Sequence, residues 1–152
     1  MKDKKILYLS YSRHQRRFFS FLWDNMETKE SILLISSLCF IRGIFEKSDT
    51  TLPREEVERL AKYSYLKFKS RRDNFAEDFI NRLYLKYLLY KTKVLYYYCK
   101  RRIKEKGIDL VIVWNGCHAE AASCVKAAKD LGTKVLFMED GYFPRTLVID
   151  EK

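Results

Sequence analysis

The residues of this chain with the most chemistry to offer collect near its end. Glu139 and Asp140 close the apolar run VLFMED and precede Gly141. Two adjacent carboxylates at the carboxyl end of a strand can position a hydroxyl, take up a proton or bind a metal. Side chains alternate along a strand, so only one of the two faces a given cleft. Glu-Asp-Gly is also good turn chemistry in its own right. Asn115, Gly116 and His118 occupy the equivalent place after LVIVW. Asn115 offers a donor and an acceptor, and Gly116 allows close backbone approach. His118 falls in the first turn of a helix, whose positive end suits a neutral hydrogen-bonding ring better than a cation. A histidine that merely caps the helix is the alternative. Arg145, just beyond Pro144, is either a holder of carboxylate or phosphate or an exposed loop arginine.

These residues need a scaffold, and the hydrophobic pattern supplies one. Residues 109–140 read as a strand ending at Trp114-Asn115-Gly116, a helix from about His118 to Leu131, and a strand ending at Glu139-Asp140. Such a βαβ unit sets its two polar loops at the carboxyl ends of neighbouring parallel strands, where open α/β sheets bind ligands. Upstream, KILYLSYS (5–12) reads as a buried strand, 15–27 as a helix and SILLISSL (31–38) as a second buried strand. A helix begins near Thr51 and Pro53, with Thr51 or a nearby polar residue as its cap and Glu55 and Glu56 at its positive end, and continues as far as Arg72. Residues 75–106 form one long helix or two abutting ones, closed by Gly107. The order points to one Rossmann-like domain over residues 1–152: a doubly wound parallel α/β sheet with a long helical insertion. TLVIDEK reads as the opening of a further segment, which makes the chain the front half of something longer.

The first loop, Ser10-Tyr11-Ser12-Arg13-His14, contains no glycine. Rossmann and Walker phosphate cradles need glycines there, so a nicotinamide cofactor or a P-loop nucleotide is not expected. Ser12 and Arg13, with Arg16 and Arg17, are either an anion-contacting loop or a solvated helix face. The formal net charge of +10 favours anionic partners of some kind. The 11 tyrosines and 10 phenylalanines suggest large rings in the core or a surface that meets sugars, lipids or bases. On the 75–106 helix, tyrosines and lysines together suit an acidic lipid surface, although a helix packed on the sheet has the same periodicity. Nucleic acid is not expected, because no recognition motif accompanies the charge. Cys39, Cys99, Cys117 and Cys124 lack metal-ligand spacing and read as reduced thiols. Cys117 and Cys124 fall on a similar face of one predicted helix. No metal is expected. With no leader pattern and no membrane-spanning run, the expected location is the cytoplasm, with peripheral contact at the inner membrane face.

The closing stretch WNGCHAEAASCVKAAKDLGTKVLFMEDGYFPRTLVIDEK resembles bacterial capsule and O-antigen polysaccharide biosynthesis proteins, specifically the retaining β-Kdo glycosyltransferases that use CMP-Kdo. The residues that fit are Asn115, Gly116, His118, Glu139, Asp140, Gly141, Tyr142, Pro144, Thr146 and Asp150. The match covers about the last 40 residues, and ILYLSYSRHQRRFF agrees in outline. The resemblance implies one half of a two-domain GT-B-type enzyme, with Glu139 lining the catalytic cleft and Asp140 beside it. Ser12, Arg13, Asn115, Gly116, His118, Gly141, Tyr142 and Arg145 would then serve substrate binding. This half would serve a glycan or lipid-linked acceptor, and the CMP-sugar donor would bind mostly outside it. A non-catalytic basic module that binds anionic glycan, lipid or an assembly partner is the competing expectation.

Overall fold

The computed structural model describes residues 4–25, 32–46, 51–70, 77–140 and 147–151. In chain order these form β1 (Ile6–Ser10), α1 (Arg13–Asn25), β2 (Ile32–Ile35), α2 (Ser36–Ile44), α3 (Arg54–Lys69) and α4 (Glu77–Lys106). Then come β3 (Leu110–Trp114), α5 (Ala119–Asp130), β4 (Lys134–Asp140) and β5 (Leu147–Glu151). The five strands form one sheet in the order β2-β1-β3-β4-β5. Four of them are parallel, with Leu9 beside Leu34 and Val113 across the β1–β2 and β1–β3 ladders.

The expected α/β sheet is present, with one correction. β5 runs antiparallel to β4, pairing Val148 with Glu139 and Asp150 with Phe137. A parallel neighbour needs a crossover of a dozen or more residues. Only residues 141–146 separate β4 from β5, so the chain can only turn back. Leu147–Glu151 therefore pair as a strand of this sheet, beside β4.

β1 and β3 are continuous apolar runs because helices cover both of their faces. Ile6 and Tyr8 of β1, Ile112 and Trp114 of β3 and Met138 of β4 pack with Phe19 of α1. The alternate residues Leu7, Leu9, Val111, Val113 and Val135 form the larger core with α2, α3, α4 and α5. Full burial of each such side chain stabilises the fold by roughly 1.5–3 kcal/mol. At the start of the sheet, the Lys5 carbonyl accepts from the Asp109 amide at 2.9 Å, and the Lys5 amide donates to the Asp109 carboxylate at 2.9 Å.

Two further boundaries differ from the sequence reading. The second strand stops at Ile35, and SSLCFIRGI forms α2. That helix lies close to α4 at Gly43, where an added Cβ would come within 2.7 Å of Val94. At the start of α3, Pro53 is the cap residue and no side chain caps the helix; Glu55 and Glu56 occupy its first turn as expected. Residues 77–106 form one helix of 30 residues. It ends at Gly107, whose φ of +61° is open to glycine at little cost. Among the described residues, no helix is long and apolar enough to cross a membrane.

Candidate functional site

In an open α/β sheet, the strand order reverses where successive connections leave in opposite directions, and the crevice there receives ligands. Here β1 connects outward to β2, and the chain then returns to place β3 on the other side of β1. The switch point therefore lies between the loops after β1 and β3. The sequence reading centred instead on the β3 and β4 loops, because these carry Asn115, His118, Glu139 and Asp140 at the ends of neighbouring strands.

Tyr11 and His118 meet at this switch point, with ring centroids 5.1 Å apart. The Tyr11 hydroxyl donates to the Trp114 carbonyl at 3.0 Å, which ties the β1 loop to the end of β3. Burial pushes that hydroxyl above its ordinary pKa, so it remains a donor. Tyr63 of α3 meets the same imidazole edge-on at 5.3 Å. From the next turn of α3, Lys67 Nζ lies 3.3 Å from His118 Nε2. An ammonium only donates, so a hydrogen bond from it would use the Nε2 lone pair that the Nδ1–H tautomer presents.

Helix α5 begins beneath this ring. His118 is its cap residue by backbone geometry, yet its side chain caps nothing. Ser64 Oγ of α3 accepts from the Ala119 amide at 2.9 Å instead. Glu120 sits in the first turn and pairs with Lys91 of α4 at 2.6 Å, each side chain less than a fifth exposed. Burial alone would raise the Glu120 carboxyl. The charge and hydrogen bond of Lys91, its own backbone amide and nearby His118 outweigh this and leave it below the usual value. A cleft of about 450 Å³ opens beside these groups, walled by Phe68 and Tyr84, whose rings stack at 3.7 Å.

The remaining sequence candidates divide by position. Ser12 caps α1, its Oγ accepting from the Gln15 amide, and Gln15 Oε1 reaches back past the cap to accept from the Tyr11 amide. Arg13 is exposed in the first turn of that helix. Asn115 takes the left-handed conformation, with φ of 42°, and its side chain accepts from the Cys117 amide. Both residues thus shape turns. The expected room at Gly116 is filled by Phe137, since an added Cβ would lie 2.4 Å from that ring.

Glu139 lines a second cleft of about 370 Å³, together with Gly116, Cys117, Arg59, Lys129 and Asp150. Asp140, one residue on, lies on the opposite face of the strand and is exposed. The Asn115–His118 loop thus has two clefts beside it, with His118 lining one and Glu139 the other. Gly141, Tyr142 and Arg145 lie outside the described residues.

No family model, curated protein or solved structure matches the chain.

The sequence reading missed Tyr11, Tyr63, Ser64, Lys67 and the Lys91–Glu120 pair. Tyr63 and Lys67 share a helix face at i, i+4 spacing, but nothing local shows that this face meets the start of α5. Cys117 precedes α5 and is exposed, whereas Cys39, Cys99 and Cys124 are buried; all four are free thiols. Among the described residues, no group of three or more His, Cys, Asp or Glu side chains is arranged to hold a metal.

Proposed function

We propose that this chain is the acceptor-side domain of a glycosyltransferase of capsular or lipopolysaccharide biosynthesis. In this reading the cleft beside His118 holds an acidic sugar of a glycan or lipid-linked acceptor. Kdo or a similar acidic sugar is transferred from a CMP-sugar held largely outside this chain, at the cytoplasmic face of the membrane. Glu139, in the neighbouring cleft, serves as the carboxylate nearest the reacting centre.

The observation that carries the reading is the Lys67–His118 nitrogen pair, held at the switch point beside stacked aromatic walls. A sugar carboxylate matches the ammonium in charge. The apolar C–H face of a pyranose matches Phe68 and Tyr84, and a few fixed polar groups in an aromatic cleft set orientation. The positive end of α5 is already occupied by Ser64 and Glu120, so the cationic side chain supplies the attraction. The resemblance of the closing residues to β-Kdo transferases supports the same reading.

The test is an NMR titration of the isotopically labelled chain with a Kdo-terminated oligosaccharide and with its neutral counterpart. The acidic glycan should shift the resonances of Ser64, Lys67 and His118, and Lys67→Met should weaken binding about tenfold or more. Equal response to both glycans, or shifts that avoid these residues, would overturn the assignment.

A further inference from the structure

Helix α4 divides into two halves with different surroundings. Its second half is core: Leu95, Tyr98, Cys99 and Ile103 are all at most 3% exposed. Its first half leaves Phe79 75% and Leu83 58% exposed, with Tyr87 and Tyr90 about half exposed. These four recur at intervals of four, four and three residues. They therefore form one stripe about 16 Å long on the outer face of the helix. Phe40 of α2 meets Tyr87 at 5.9 Å and Tyr90 at 6.1 Å, both edge-on, which carries the apolar surface onto a second helix. There Ile41 is 54% exposed, and Phe45, just past the helix end, is 83% exposed.

Between Phe79 and Lys104 the charges are all basic; Glu77 and Asp78 precede the stripe in the first turn of α4, and Glu46, next to Phe45, is paired with Arg102. Arg82, Lys86 and Lys93 are exposed and stand three residues on from Phe79, Leu83 and Tyr90, so they form a parallel basic row. No acidic residue occurs between Phe79 and Lys104, and none within α2. A second copy of the chain docking face to face would bring like-charged rows together. Rings and aliphatic groups beside lysine and arginine match an anionic bilayer surface, where apolar groups enter the acyl boundary and cations meet headgroup phosphates.

We infer that the first half of α4, joined to α2 through Phe40, is a docking face for an anionic phospholipid bilayer. The helix lies in the plane of the interface with Phe79 and Leu83 inserted and Arg82, Lys86 and Lys93 at headgroup level. This inference stands apart from the ligand held at His118.

The test is co-sedimentation of the full chain with vesicles of phosphatidylcholine alone and of phosphatidylcholine with phosphatidylglycerol, at low and high salt. Binding should require phosphatidylglycerol and fall as salt rises. Replacing Arg82 and Lys86 together with Gln should lower partitioning by about 25-fold, at about fivefold for each charge near the surface. Phe79→Ser with Leu83→Ser should lower it more than tenfold, with unchanged circular dichroism and melting because both side chains are exposed. Arg17→Gln on α1, exposed on the helix that covers the other face of the sheet, serves as a control that leaves binding intact. Absence of binding, equal binding to neutral vesicles, or equal loss in the α1 control would overturn the assignment. So would a concentration-dependent dimer that Phe79→Ser with Leu83→Ser abolishes.

Discussion

His118 Nε2 lies 3.3 Å from Lys67 Nζ, although 51 residues of chain separate them. A hydrogen bond from the ammonium favours the tautomer with its proton on Nδ1, because the ammonium cannot accept. The ring in the free protein is therefore expected to be the Nδ1–H tautomer. In long-range nitrogen–proton correlation spectra, Lys67→Met should release that preference and give a mixture. An unchanged tautomer in the variant would mean that the lysine does not orient the ring.

The Lys91–Glu120 pair makes a pH-dependent contribution to stability. The Glu120 carboxyl titrates below its ordinary value in the folded state. Its contribution is therefore fully present above the unfolded value of about 4.3, and is lost as pH falls through the folded value. Glu120→Gln should flatten the acid limb of a stability-against-pH curve. Lys91→Met, which leaves a carboxylate largely out of water without its partner, should cost about 3 kcal/mol at neutral pH by urea denaturation.

Ser64 caps a helix that belongs to a different part of the chain, through its bond to the Ala119 amide. Ser64→Ala leaves that buried donor without its acceptor. A loss of about 1–2 kcal/mol is expected. Hydrogen exchange should show the first turn of α5 opening more readily while the rest of the sheet is unaffected.

Gly116 is required by packing against Phe137. Gly116→Ala should destabilise the chain by about 1–3 kcal/mol through overpacking. Adding Phe137→Leu should recover part of that loss in the same denaturation assay. An Ala variant as stable as the parent would show that the ring moves aside freely.

For Glu139, the proposed transferase role predicts that Glu139→Gln in the complete enzyme lowers transfer at least about a hundredfold. Its side chain faces a cleft, and the ladder across β4 and β5 is a backbone interaction. The melting temperature of the variant should therefore stay close to that of the parent. Near-normal transfer would remove Glu139 from the reaction.

Local pattern carried much of this fold. The apolar runs at 6–10 and 110–114 are buried strands, Gly107 and Gly132 end helices in the left-handed conformation, and residues 119–130 form the expected helix. These features depend on side-chain period and backbone freedom within a few residues, which a sequence displays directly. The basic balance and the absence of a glycine phosphate cradle after β1 are equally visible there.

What lay beyond reach was pairing between distant segments. Only the packed sheet puts β3 beside β1, which brings Tyr11 to His118 and moves the switch point away from the β3–β4 edge. Only the docking of α3 brings Tyr63, Ser64 and Lys67 over the start of α5. Helical periodicity likewise left open which half of α4 is core, because an apolar stripe has the same spacing whether protein or lipid covers it. The sequence by itself determined most of the α/β elements, the helix ends at Gly107 and Gly132 and the sign of the charge, since these follow from local chemistry. The neighbours of each element, and with them the candidate site, were decided by burial of the whole chain.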